Sequence, residues 1–134
     1  MINPTLSLLK YLSQQGFGTM SEDLYWEELE LGKNGVAIVS IGTGTELHGR
    51  KTQQFELISR GNTKTSGYNK LAEICEHLNE SLSVCSLPEV RTKAGGVVAE
   101  EIGNVTIYPL ATITNSGTDS EGKTIWTTNG RIEY

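Results

Sequence analysis

The sequence predicts an α+β protein, a mostly antiparallel twisted sheet with two helices packed on one face, plus a long loop or an extended hairpin. Three observations predict it. At residues 52–82 the apolar spacing changes from strand alternation to a helical repeat without a break, so one strand and one helix can cover each other. Val36-Ala37-Ile38-Val39-Ser40-Ile41 is apolar on both faces, as a strand buried in the middle of a sheet requires. The order helix, strands, helix, strands has turns short enough for antiparallel pairing.

In the strand, Phe55, Leu57 and Ser59 share one face and Gln54, Glu56 and Ile58 the other. In the helix that follows Arg60-Gly61-Asn62, the apolar residues Tyr68, Leu71, Ala72, Cys75, Leu78 and Leu82 form one stripe. Lys70, Glu73, Glu76, His77 and Glu80 fall on the opposite, solvated side, where Glu73 and His77 can pair.

Before this unit, Asn3-Pro4 supplies a capping side chain and a first-turn proline for a short helix. It carries Leu8, Leu9 and Leu12 inward, Leu6 and Tyr11 at its margins, and stops at Gly16. Residues 17–31 fit no single period and predict an irregular or short-strand segment, with Leu24, Trp26 and Leu29 tucked inward. Lys33-Asn34-Gly35 is a turn signal, and residues 42–49 read as a loop leading to the strand at 52.

After the second helix, residues 83–88 suit a short strand or a simple descent. Residues 89–103 suit a long mobile loop or an extended hairpin, the kind of segment that often carries an interaction. A closing hairpin sets residues 104–114 against residues 123–134. Pro109, which cannot donate to a ladder, puts the first arm at an edge or forces a bulge.

With 134 residues, the chain is read as one domain spanning residues 1–134. Only 37% of it is apolar, and it carries 16 acidic against 11 basic residues for a net charge of −5, so a thin core with long loops is expected. That charge disfavours holding a phosphate backbone, which needs Lys and Arg to displace counterions. Low apolar content makes association between subunits a reasonable way to bury more surface. Cys75 and Cys85 are expected as two reduced structural thiols. Neither a basic-then-apolar leader nor a run of roughly 18 apolar residues is visible, so a soluble protein made in a cytoplasm, with no membrane partner, is expected.

Little in the chain points to chemistry. Cys75, His77 and Cys85 do not make a zinc set, because Cys75 and His77 stand two apart on a helix and point to different sides. Gly42-Thr43-Gly44-Thr45 lacks the third glycine of a dinucleotide loop and the Lys-Ser/Thr of a phosphate loop, and a strand follows it. The acidic pairs Glu22-Asp23, Glu27-Glu28 and Glu100-Glu101 suit a solvated surface better than a catalytic dyad. No catalytic residue, metal ligand or cofactor is expected.

One stretch resembles a known family. Arg50 leads into Gln54-Phe55-Glu56-Leu57, Arg60-Gly61 and a helix with Tyr68, Leu71-Ala72 and Ile74 to Leu78; the closing arm contains Gly122-Lys123-Thr124-Ile125-Trp126-Thr127. This block resembles the tail terminator, or tail-to-head joining, proteins of tailed bacteriophages and their related minor capsid proteins, and the order of elements matches over nearly the whole chain. The entrance to the helix, Lys64-Thr65-Ser66-Gly67, departs from the family's usual charged or Ala-rich start, and residues 89–103 do not map onto it.

The resemblance implies a structural virion protein, not an enzyme, located at the head-proximal end of the tail. Its subunits would form a ring, hexameric in the family, that stops growth of the tail tube. The partners implied are copies of itself, the tail tube protein and a head completion or connector protein, with DNA passing through without specific binding. Arg91, Lys93, Val97, Val98, Glu100 and Glu101 of the 89–103 segment, with His48 and Arg50, are the candidate oligomer or partner interface. Two other readings compete. An acidic binding or inhibitor module would act 1:1 on a soluble partner, and a small enzyme would use the acidic segment 22–30 or His48.

Overall fold

The computed structural model describes residues 1–45, 49–80 and 85–134. Two helices, α1 (Pro4–Gln14) and α2 (Lys64–Glu80), pack on one face of a curled sheet. The sheet strands are β1 (Leu24–Trp26), β2 (Gly35–Thr45), β3 (Lys51–Arg60), β4 (Cys85–Leu87), β7 (Ile102–Ile107), β8 (Thr114–Thr118) and β9 (Thr124–Glu133). Between β4 and β7, β5 (Val90–Arg91) and β6 (Val97–Ala99) pair, among the described residues, only with each other. The order across the sheet is β1-β2-β3-β9-β7-β4, and every pair is antiparallel except β1 with β2. The α+β class read from the sequence is the one the chain adopts.

The short α1 is closed at both ends. Asn3 Oδ1 accepts from Leu6 N–H and Pro4 occupies the first turn. At the other end Gly16, at φ +88°, lets its own N–H reach Ser13 O while Phe17 N–H reaches Leu12 O, a double closure that needs a left-handed residue. Leu8, Leu9 and Leu12 are fully buried, as their spacing requires.

The junction of β3 and α2 is tight. Thr63 and Ser66 cap each other reciprocally, each side-chain oxygen accepting from the other's N–H, which explains a helix start without acids. A Cβ at Gly67 would stand 3.1 Å from Gly61 N and 3.3 Å from Trp126 Cδ1, so glycine lets the helix sit directly on the strand. Ser59 Oγ then donates to Gly67 O at 2.8 Å. The strand alternation is as read: Phe55, Leu57 and Ser59 are buried under the helices, and Gln54 is exposed on the other face.

The helical stripe is rotated from the one expected. Leu71, Ile74, Cys75 and Leu78 are buried, whereas Tyr68 is 41% exposed with its ring edge-on to Trp126. Leu82 lies outside the described residues. His77 is not on a solvated face: its Nε2 is 2.9 Å from Tyr11 Oη and its ring meets Phe17 edge-on, because α1 packs alongside α2 there.

Two further expectations change. Residues 42–45 are strand and not loop, since β2 continues past a bulge at Ile41 to pair Gly42–Thr45 with Lys51–Gln54. Nor is β2 central along its whole length: β1 flanks only Val36–Ile38, and Ile41 is 54% exposed. Leu24 is buried, but Trp26 is 44% exposed and Leu29 only half-buried, because β1 is the border strand.

β3 occupies one edge of β9, so β7 and β8 must share the other. Pro109 falls between them. From Ile107 to Thr114 the arm takes seven steps against five on β9, from Ile132 to Thr127, so the break is a bulged stretch. Three of its N–H groups still find partners: Tyr108 and Ala111 donate to Arg131 O and Asn129 O, and Leu110 donates to Asn79 Oδ1 at 3.0 Å.

Candidate oligomer interface

Residues 89–103 form the extended hairpin and not a structureless loop. Val90 and Ala99 pair at its base and are buried beside α1. The turn closes through Thr92, whose N–H donates to Gly96 O and whose Oγ1 accepts from Gly96 N–H, with Gly95 at φ +94°. Glu100 N–H donates to Met1 O at 2.9 Å, tying the hairpin to the start of the chain. The α-ammonium lies 3.5 Å from Glu100 Oε1, but both groups are well exposed and the pair contributes little.

The candidate residues divide between several places. Lys93 is exposed at the turn, Val97 is 43% exposed on the outer strand, and Val98 is half-buried. Arg91 is exposed but engaged: Nε donates to Glu89 Oε1 at 2.7 Å and Nη1 to Gly95 O at 2.8 Å, so it stiffens its own turn. Arg91 and Glu101 line one groove of about 410 Å³ with Lys10, Gln14, Pro88 and Glu89, between α1 and the hairpin base. His48 lies outside the described residues.

Arg50 does not join this group. Its Nη2 donates to Asn104 O and, at 3.1 Å, to Glu133 O, and its Nε is in ion-pair contact with Glu133 Oε1 at 3.1 Å. The guanidinium staples the start of β3 to the middle of β7 and the end of β9, an internal role.

Glu133 is the hub of a cluster that sequence reading missed. Its Oε2 accepts from Tyr108 Oη at 2.5 Å, and the Arg131 guanidinium carbon lies 4.1 Å from the Tyr108 ring centroid. The carboxylate holds the phenolic proton, which raises the Tyr108 pKa from its ordinary 10.0. Tyr108 and Arg131 line an open groove of about 530 Å³ with Ile41, Gln54 and Asn129, on the sheet face away from the helices.

The acidic segment 22–30 is split in the same way. Glu27, at φ +69°, turns the chain off the sheet, and its Oε1 accepts from Ser40 N–H at 2.9 Å and from Ser40 Oγ at 2.5 Å. Thr5 Oγ1 shares a hydrogen bond with Ser40 Oγ and accepts from Trp26 Nε1. Glu27 therefore caps a strand edge, while Glu28 and Glu30 are exposed along a groove of about 480 Å³ beside Leu6, Met20 and Lys33.

A buried cation holds the opposite end of β3. Arg60, 4% exposed, donates to Lys33 O, to Glu30 O and to Asp119 Oδ2, the last at 2.9 Å. Nothing in the local text around Arg60-Gly61 announces these partners. The buried thiol of Cys75 is pushed up to about 11 by desolvation. No helix among the described residues is long and apolar enough to cross a membrane. The chain matches no protein-family model, and no curated protein matches its sequence.

Proposed function

We propose that the protein is a structural subunit of a phage tail, assembling as a ring at the head-proximal end, where it ends growth of the tail tube and joins tail to head. The observation that carries this reading is the β5–β6 hairpin. Among the described residues it is bonded to no other strand; it is anchored through Val90 and Ala99 and presents Lys93 and Val97 outward, the form of an arm that engages a tail tube or head protein. The order of elements on which the resemblance rests supports it too: a short helix, a strand pair, the strand-to-helix unit and the closing hairpin. A net charge of −5 suits a ring through which DNA slides without being held.

Electron microscopy of tails assembled without this protein tests the reading. Tubes of uncontrolled length and heads without tails are expected. Tails of normal length, normally joined, would overturn it in favour of the acidic 1:1 binding module, which predicts a discrete complex with one soluble partner.

A further inference from the structure

We propose that the joint between copies is a strand-to-strand contact in which β8 of one copy adds to residues 41–45 of β2 in the next, an inference that rests on the ring reading. Among the described residues, both stretches have one edge without a backbone partner. β1 covers β2 only at Val36–Ile38, and the Glu27 carboxylate closes the next outward group, Ser40 N–H. Beyond it Ile41-Gly42-Thr43-Gly44-Thr45 pairs on one side only, with β3. β8 is bonded to β9 alone, and all five of its residues are exposed.

The two edges suit each other in length, chemistry and direction. Each stretch has five residues, and neither Ile-Gly-Thr-Gly-Thr nor Thr-Asn-Ser-Gly-Thr contains a charge or a proline, the usual devices that keep an edge from pairing. Both ladders shift register, at Ile41 in β2 and between Asn115 and Thr118 in β8, so the added pairing is short and twisted. β2 and β9 run one way and β3 and β8 the other. β8 stands level with Val36 and Ala37, reckoned through β9 and β3, and so is offset along the strands from the 41–45 edge; the rotation that brings β8 of one copy antiparallel to β2 of the next therefore has its axis inclined to the strands.

The stretches are different surfaces on opposite borders of one sheet, so the contact is head-to-tail, the kind that closes into rings. Strand addition supplies main-chain hydrogen bonds that need little apolar area, which suits a thin-cored chain.

The test uses two double variants of the full chain, Thr43→Lys with Thr45→Lys on the β2 edge and Thr114→Lys with Thr118→Lys on β8, all at exposed positions. Native mass spectrometry is expected to show a closed oligomer for the wild type, monomers for each variant alone, and a 1:1 heterodimer for their equimolar mixture, since one intact joint remains. The heterodimer also proves that both variants fold. Persistent rings in both variants overturn the edge joint and leave the ring reading standing. Monomers throughout, wild type included, overturn both.

Hydrogen exchange on the wild type needs no variant. Amides in 41–45 and 114–118 are expected to slow on assembly relative to dilute monomer, and unchanged exchange there in a formed ring overturns the proposal.

Discussion

Phe55 folds its ring over Gly130 on the neighbouring strand. The two are direct partners between β3 and β9, and a Cβ at 130 would stand 2.8 Å from Phe55 Cζ and 3.2 Å from Leu110 Cγ. Phe55 is fully buried, so its ring has no room to retreat. Gly130→Ala is expected to destabilise the fold by about 1–3 kcal/mol through overpacking, although alanine suits a strand better than glycine. Urea unfolding of the two proteins, compared by midpoint at equal slope, measures it. A neutral or stabilising effect would mean that the ring is not held against residue 130.

How much of this was legible beforehand depends on the range of the contacts. The alternation of Phe55, Leu57 and Ser59 and the leucines of α1 are local patterns, and the structure follows them. The Gly42-Thr43-Gly44-Thr45 stretch reads as a loop by composition, and only pairing with Lys51–Gln54 makes it strand. His77 looks solvated until α1 brings Tyr11 beside it. At the candidate interface, the sequence of 89–103 left a long mobile loop and an extended hairpin both open, and the pairing of Val90 with Ala99 decides for the hairpin. The engagement of Arg50 with Glu133, distant in sequence, has no local signal at all.

Tyr108 gives a pH dependence at the alkaline end. Its hydroxyl donates to Glu133, which raises its pKa above 10.0, so the protonated phenol is the form the fold prefers. The stability this adds is fully present below the ordinary phenol pKa and is lost as pH rises through the raised native value. Phenolate absorbance, read as the difference between wild type and Tyr108→Phe, is expected to appear later than for an exposed tyrosine. The stability deficit of Tyr108→Phe is expected to shrink over the same alkaline range. An ordinary titration for Tyr108 would sever the link to Glu133.

Cys75 is expected to resist alkylation in the folded protein. With its thiol pushed up to about 11 from 9.0, it holds about a hundredfold less thiolate than an exposed cysteine at neutral pH, and the packing of α2 against the core also buries it. Peptide mapping after iodoacetamide should show Cys75 unmodified until denaturant is added. Mapping each cysteine separately keeps Cys85 from confusing the result. Rapid native labelling at Cys75 would mean that α2 detaches readily from the sheet.

Arg60 and Asp119 together fix the far end of the sheet, and they predict different responses to pH. Lys123 N–H, then Glu121 N–H and the Arg60 guanidinium, favour the Asp119 carboxylate and hold its pKa below the ordinary 3.8, outweighing its partial burial. A depressed carboxyl adds stability above the unfolded pKa and loses it as pH falls through the native one. Asp119→Asn is therefore expected to be less stable than wild type at neutral pH, with the gap closing only below about pH 4. Arg60→Met removes donors from Lys33 O and Glu30 O as well as from Asp119, and leaving such acceptors unpaired costs about 2 kcal/mol or more. Its deficit is expected to persist into acid, because the carbonyls do not titrate. Thermal unfolding of both variants from pH 7 to pH 3 separates the two roles. If the Arg60→Met deficit vanished in acid along with that of Asp119→Asn, the ion pair alone would account for the buried guanidinium, and the bonds to the 30–33 turn would contribute nothing.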